Sequence, residues 1–171
     1  MFVLGIDPGL SRCGYGVVEQ TARRAEAVAI GVIRTPPDDP LPRRLARLQH
    51  EIRGLVSEHR PDVVAIERVF FQVNAQTAMG VAQASGLAMA EGAAAGAEVV
   101  EYTPNQIKEA VGGWGGAPKE QMQRMVQTLL GLPALPSPAD AADAAAVALC
   151  HLAHAPMRGA ADRVDLAGRG R

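Results

Sequence analysis

The chain has 171 residues, of which 48% are hydrophobic and 20% charged, and its formal net charge is −1. This length and composition are typical of one globular domain with a sizeable core. They exclude a protein built around a membrane-spanning helix, because no run of about 18 apolar residues occurs. Cys13 and Cys150 each lie inside an apolar run without metal-ligand spacing, which predicts two small buried thiols in a reducing cytoplasm.

The first third of the chain reads as three strands followed by a helix and a fourth strand. Residues 2–6, 13–19 and 25–35 are predicted to form a meander with short turns. After the breaker-rich stretch PPDDPLP, apolar residues recur at helical spacing from Leu41 to about Arg60, and Pro61 ends that helix. The run DVVAIE (62–67) predicts a strand buried on both faces that ends on an acid.

The remaining elements alternate helix and strand before the chain ends in helices. A helix over 74–96, capped by Asn74, carries a stripe of mostly small residues: Met79, Ala82, Gly86, Leu87 and Ala90. A strand follows at 97–102, then short helices from Thr103-Pro104 to Gly112 and over 118–130. The last helix is predicted to start at Ser137-Pro138 and end near Ala155. The tail has the composition of a disordered segment, so we expect a domain over 1–156 and a disordered tail over 157–171.

This order of elements predicts an α/β fold with a mixed sheet of five strands and helices on both faces. The helical crossover makes the fourth strand parallel to a neighbour in the sheet.

Four acids stand out against this framework. Asp7 ends the first strand and Glu67 ends the fourth, so parallel pairing of these strands places both at one carboxyl edge. Asp140 and Asp143 share one face of an alanine-rich helix. Four converging carboxylates repel one another and raise their own pKa values, and hard divalent cations with oxygen ligands relieve that repulsion. The sequence therefore predicts a divalent metal site.

Each acid also has a purely structural interpretation. Asp140 follows Ser137 at the spacing of a helix cap, and Asp7 can begin an Asx-turn with Pro8-Gly9. Arg68 can neutralise Glu67. These interpretations remain open for each residue alone, but none of them accounts for the four acids as a set.

The motifs LGIDPGLSRCGYGVV, VVAIERVFFQVNAQTA, EYTPNQIKEAVGGWGGAPKEQMQRMV and LLGLPALPSPADAADAAAVAL occur in this order over nearly the whole chain. In this combination the sequence resembles the RuvC family of bacterial Holliday junction resolvases, dimeric endonucleases of the ribonuclease H-like superfamily. The resemblance implies a ribonuclease H-like fold, a homodimer, a four-way DNA junction as substrate, and cooperation with the branch-migration proteins RuvA and RuvB.

The resemblance also implies roles for particular residues. The catalytic, metal-binding acids of the family fall on the same four positions: Asp7, Glu67, Asp140 and Asp143. Some relatives have histidine where this chain has Asp140. The two important lysines of the family fall on Lys108 and Lys119, and its DNA-contacting aromatic residue falls on Phe70, beside Phe71.

These assignments predict two-metal-ion hydrolysis of a phosphodiester. Four carboxylates can hold two Mg²⁺ ions in each active site, with Mn²⁺ as a substitute, and Lys119 contacts a phosphate near the scissile bond. Arg12 and Arg68 are expected to extend a basic face toward DNA. Trp114, set among four glycines, is expected to contact DNA rather than the core. The small-residue stripe is expected to form the two-fold dimer contact.

Three other functions compete with this hypothesis. A ribonuclease H-like nuclease for RNA–DNA hybrids differs in its substrate, which a synthetic four-way junction tested against a hybrid duplex distinguishes. A sugar kinase or actin-like ATPase needs a second, similar half with further phosphate-binding loops, for which 171 residues are too few. A non-catalytic junction-binding protein is expected to have lost one of the four acids, and this chain retains them all.

Overall fold

The structure is a computed structural model that describes residues 1–22, 24–68 and 75–168, with side chains placed as far as residue 155 except at 75–77. The described residues contain one five-stranded sheet in the order β3-β2-β1-β4-β5. The strands are β1 (Phe2–Asp7), β2 (Arg12–Gln20), β3 (Ala25–Arg34), β4 (Val63–Glu67) and β5 (Glu98–Tyr102). The first three are antiparallel neighbours, whereas β1, β4 and β5 are parallel.

Helices cover both faces of this sheet. Their bounds are α1 (Leu41–His59), α2 (Ala75–Ala94), α3 (Pro104–Gly112), α4 (Lys119–Leu129) and α5 (Ala139–Gly168). Helix α5 lies across β1, β2, β3 and β4 and is flanked by α3 and α4, while α1 and α2 pack against each other on the opposite face. The predicted mixed sheet of five strands between two helical layers is therefore confirmed.

The alternation of side chains along the strands divides the apolar core into two clusters. Val3 of β1 packs on the α5 side, together with Val63 and Ala65 of β4. Leu4 and Ile6 pack on the α1 and α2 side. Because successive side chains point to opposite faces of a sheet, Asp7 and Glu67 extend the α5-facing rows of their strands. The period of the strands thus directs both acids toward α5.

Close backbone contact brings α5 onto β1 and β2. A Cβ atom on Gly5 would lie 2.2 Å from the carbonyl oxygen of Ala144, and one on Gly14 would lie 2.1 Å from that of Asp140. Glycine at both positions lets the backbone of α5 rest directly on the strands. Gly14 pairs with Asp7 across the β1–β2 ladder. The helix turn that carries Asp140 is therefore seated beside the strand end that carries Asp7.

The helix ends agree with the sequence analysis in most places and differ in one. Thr103 caps α3 and Pro104 occupies the first turn, as predicted, and Gln106 completes a capping box with Thr103 that the sequence analysis did not predict. The prediction that the last helix ends near Ala155 was wrong, because the backbone of α5 is helical to Gly168. The division into a domain over 1–156 and a disordered tail over 157–171 stays a prediction. The cap predicted at Asn74 lies outside the described residues.

Candidate active site

The carboxyl edge of the parallel strands brings the first two acids together. Strands β1 and β4 pair in register from Val3–Val63 to Ile6–Ile66, so Asp7 and Glu67 are the next residues at the same edge. The predicted parallel pairing is thus present. Asp140 and Asp143 lie in the first turns of α5, which packs on this face of the sheet. The charges of Glu67, Asp140 and Asp143 all act on Asp7.

Burial and mutual repulsion perturb the two strand-end acids. Burial is the largest cause that raises the pKa of Asp7 to about 7, followed by the charges of Glu67, Asp143 and Asp140, while Lys119 opposes the rise. Burial and Asp143 likewise raise the pKa of Glu67, against the lysines Lys108 and Lys119. A carboxylate with this environment is stabilised by any cation that enters the site.

Two basic side chains neutralise the acids of α5. The Nη2 of Arg12, at the start of β2, donates a hydrogen bond to Oδ2 of Asp140. The Nζ of Lys119, the first residue of α4, donates to Oδ2 of Asp143 at 2.8 Å, and this bond is the largest cause that raises the pKa of Lys119. These charge-assisted contacts hold one oxygen of each helix acid.

A cavity of about 390 Å³ opens on the acids. Its polar wall contains Asp7, Glu67 and Asp143 together with Lys108 and Lys119. Apolar residues complete the wall, among them Ile107 of α3 and Met122 of α4, which are both buried. Three carboxylates and two ammonium groups thus face one open volume, which suits a ligand that carries both metal ions and phosphate.

The other predicted residues occupy different positions around this cavity. Arg68 lies within 3.7 Å of Glu101 on β5, so it pairs with that acid and does not neutralise Glu67, contrary to the structural alternative. Trp114 is 55% exposed in the loop between α3 and α4. The ring of Trp114 covers the backbone of Gly116, where a Cβ would lie 2.1 Å from the ring. Phe70 lies outside the described residues.

The contact between Arg12 and Asp140 is the feature that the sequence analysis missed, because it assigned Arg12 only to a DNA-facing surface. A signal for it exists in the strand period. Arg12 lies two residues before Gly14 and therefore shares its face of β2. The backbone of Asp140 rests on Gly14. The contact between Arg12 and Asp140 can be inferred from this spacing only when the position of α5 on the sheet is known.

The donor set suits a hard divalent cation. Its members are carboxylates, the ligands that Mg²⁺ and Ca²⁺ prefer, and burial together with the charges of the other three acids raises the pKa of Asp7. His151 of α5 is buried, with its Nδ1 3.0 Å from the hydroxyl of Tyr102, and so belongs to the core. Among the described residues, no three candidate ligands lie close enough together to bind one metal ion as they stand.

Comparison with known proteins identifies the family. The family model described as crossover junction endodeoxyribonuclease RuvC matches residues 3–151. The chain belongs to the RuvC family. A RuvC from Salinispora arenicola is 53% identical over 98% of this chain and 99% of its own length. A RuvC from Moorella thermoacetica is 48% identical over 99% of this chain and its full length.

Solved RuvC structures have the same fold. The Thermus thermophilus RuvC structure matches with a TM-score of 0.84 and 37% identity, over 92% of this chain and 96% of that one. Thermus thermophilus RuvC in complex with Holliday junction substrate matches with the same TM-score of 0.84 and 34% identity, over the same shares of the two chains. The yeast mitochondrial Holliday junction resolvase Ydc2 shares the fold at 14% identity and a TM-score of 0.61. RuvC nucleases are metal-dependent enzymes, in agreement with the acidic donor set. No helix in the described part of the chain has the length and apolarity needed to cross a bilayer.

Proposed function

We propose that this RuvC-family chain resolves four-way DNA junctions by paired symmetric nicks, one from each subunit of a homodimer. The observation that carries the proposal is the convergence of Asp7, Glu67 and Asp143 with Lys108 and Lys119 on one cavity. The family match and the likeness to a RuvC solved with Holliday junction substrate support it. RuvA and RuvB are proposed partners on the basis of family membership, and the two free buried cysteines support a cytoplasmic location.

The proposed metal is Mg²⁺, with Mn²⁺ as a substitute, held by Asp7, Glu67, Asp140 and Asp143. When bound, two such ions supply an activated water and stabilise the leaving 3′ oxygen. Asp7 takes the central place in this proposal, because its charge interacts with each of the other three acids. Asp7 also lines the cavity.

The two lysines are proposed to hold the phosphate. Lys119 begins α4 and lines the cavity with its ammonium group against Asp143. Lys108 lines the same cavity from α3, whose first turn is fixed by the Thr103–Gln106 capping box. Ammonium groups on two separate helices can contact phosphate oxygens from two sides and offset the charge that develops during cleavage.

Trp114 is proposed to stack on an exposed base near the cut. The ring is half exposed, lies in the loop between the helices that carry the two lysines, and is supported from below by Gly116. Aromatic stacking contributes roughly 1–3 kcal/mol per base. We therefore expect Trp114→Ala to weaken junction binding about five- to a hundredfold. Unchanged affinity and cleavage would remove Trp114 from the interface. Phe70, Arg12 and Arg68 are proposed as further DNA contacts.

The decisive experiment is cleavage of a synthetic mobile four-way junction with Mg²⁺ or Mn²⁺ and mapping of the product ends. We expect symmetric nicks with 5′-phosphate and 3′-hydroxyl ends, no cleavage by Asp7→Asn, and junction binding by that variant close to the wild type. Glu58→Gln, an exposed acid on α1, is the matched control and is expected to cleave normally. An active Asp7→Asn protein, asymmetric nicks, or preferred cleavage of an RNA–DNA hybrid would contradict the proposal.

The dimer contact is proposed to lie on the outward face of α2. Met79, Ala82, Gly86 and Ala90 of the predicted stripe are exposed, whereas Leu87 is half-buried. A flat row of small side chains permits close approach of the same face in a second copy, and a C2 pair places two identical sites on a two-fold junction.

Two glycines allow a clean test of this contact. A Cβ at Gly86 on α2 or at Gly54 on α1 meets no atom within 4 Å, so both helices accept larger residues in the monomer. We expect Gly86→Arg to produce folded monomers in sedimentation velocity, and Gly54→Arg to remain dimeric. A dimeric Gly86→Arg protein would place the interface elsewhere.

A further inference from the structure

Arg12 lies between the acids and a second cavity. Its guanidinium contacts Asp140, and its side chain also lines a groove of about 660 Å³ beside the first turn of the chain. Ser11 and Arg44 of α1 line the same groove, and Met79, at the N-terminal end of the proposed dimer face, borders it on the α2 side. Leu10, Leu41 and Val81 make much of the wall apolar. The charged residues of the lining are the two arginines, which can attract a phosphate to that part of the groove.

The backbone before Arg12 is fixed, whereas its side chain is not enclosed. The Nε of Arg44 donates to Thr35 Oγ1 at 3.0 Å, and Thr35 Oγ1 donates to the carbonyl oxygen of Leu10 at 2.6 Å. Arg44 also donates to Ser11 Oγ. These bonds anchor the Leu10–Ser11 turn, but the Arg12 side chain is 48% exposed. Arg12 can therefore turn from Asp140 toward the groove without movement of the main chain.

Asp140 and Asp143 each pair with a basic side chain, but only Asp140 lies outside the lining of the cavity. Asp7, Glu67 and Asp143 line the cavity of the site, whereas Asp140 lies outside that lining against Arg12. The guanidinium holds Oδ2 of Asp140, and its positive charge weakens the attraction of that carboxylate for a second cation. Arg12 and a cation therefore compete for Asp140.

We propose that Arg12 is a DNA-released lock on Asp140, an inference that rests on the metal site of the proposed function. Without DNA, the guanidinium holds the carboxylate. Phosphates that enter the groove attract Arg12 and free Asp140 to act as a metal ligand. Because coupling between two binding sites is reciprocal, DNA then tightens metal binding and metal tightens DNA binding.

The test measures metal affinity rather than cleavage. Isothermal titration with Ca²⁺, which takes the same oxygen ligands, is carried out on wild-type protein and on Arg12→Gln, with and without an immobile four-way junction. The Arg12–Asp140 pair is half exposed, so we expect Arg12→Gln to bind Ca²⁺ roughly two- to fivefold more tightly than wild type without DNA. The junction should tighten binding in the wild type by a larger factor than in Arg12→Gln.

Two further variants separate the contact from its charge. Arg68→Gln removes the same charge from the rim, where Arg68 faces Glu101, and should change Ca²⁺ affinity less than Arg12→Gln does. Arg12→Lys keeps the charge but loses the forked contact, and its affinity should fall between those of wild type and Arg12→Gln.

The outcomes distinguish this inference from the proposed function. If Arg12→Gln binds Ca²⁺ no more tightly than wild type or Arg68→Gln, or if its response to the junction equals that of the wild type, the lock is refuted while the metal site stands. If Asp7→Asn binds Ca²⁺ as well as wild type, the metal site itself is wrong and both proposals fail.

Discussion

The acid at the end of β1 is expected to destabilise the metal-free protein. Asp7 is partly buried and faces three other carboxylates, and these causes raise its pKa from 3.8 to about 7. The substitution Asp7→Asn keeps the shape of the side chain and removes the charge. We therefore predict that the variant without activity is more stable than the wild type when no divalent ion is present.

The perturbed pKa gives the size of this effect. Each pKa unit corresponds to 1.36 kcal/mol, so the rise from 3.8 to about 7 gives an upper limit of about 4 kcal/mol. A realised gain of half this value, about 2 kcal/mol, raises the Tm by roughly 4–8 °C in a chain of this length.

The gain has a defined dependence on pH. A carboxyl whose pKa is raised in the folded state releases its proton more readily in the unfolded state, so ionisation favours unfolding as the pH rises above 3.8. The destabilisation of the wild-type protein by ionised Asp7 reaches its full value above about pH 7. The stability difference between Asp7→Asn and wild type should therefore be largest at pH 8, smaller at pH 5, and close to zero near pH 4.

Thermal unfolding in EDTA, followed by circular dichroism at equal protein concentrations, measures this difference. Added Ca²⁺ should raise the Tm of the wild type more than that of Asp7→Asn, because the ion binds the intact acid cluster. Glu58→Gln, which removes an exposed acid from α1, should stay within about 0.5 kcal/mol of wild type at each pH. An Asp7→Asn protein that is no more stable than wild type at pH 8, or a difference that does not change with pH, would refute the reasoning.

Further substitutions test the contact of α5 with the sheet and the contact between α1 and α2. Gly14→Ala places a Cβ 2.1 Å from the carbonyl oxygen of Asp140, so it should cost roughly 1–3 kcal/mol of unfolding free energy and weaken Ca²⁺ binding. Gly54→Ala, where a Cβ meets nothing within 4 Å, should instead stabilise α1; equal effects in urea unfolding would contradict the close seating of α5. Glu91, only 8% exposed, accepts hydrogen bonds from Arg53 and Gln49, which lower its pKa, with the Arg53 bond the larger cause. Glu91→Gln should therefore lower the Tm above pH 4.5, and this decrease in Tm should become smaller as the pH falls below 4.5. A decrease in Tm that is the same at every pH would contradict an ionic role.

The sequence by itself determined where most helices and strands lie and which acids stand at the strand ends. The period of two in β1 separates Leu4 and Ile6 from the row that ends in Asp7, and the cap at Thr103 sets the start of α3. These features depend on neighbours within a few residues, so local patterns are sufficient to predict them. The spacing of Asp140 and Asp143 on one helix face is local in the same sense.

Only the tertiary structure decided how the acids meet and what holds them. The seat of α5 on Gly5 and Gly14 depends on the close approach of two backbones, which no pattern within either segment specifies. The contact of Arg12 with Asp140 joins residues 128 positions apart in the chain. Such pairings follow from the packing of helix on sheet rather than from spacing along the sequence. For this reason the sequence indicated which residues form the candidate site, whereas the fold determined which basic side chain each acid of α5 contacts.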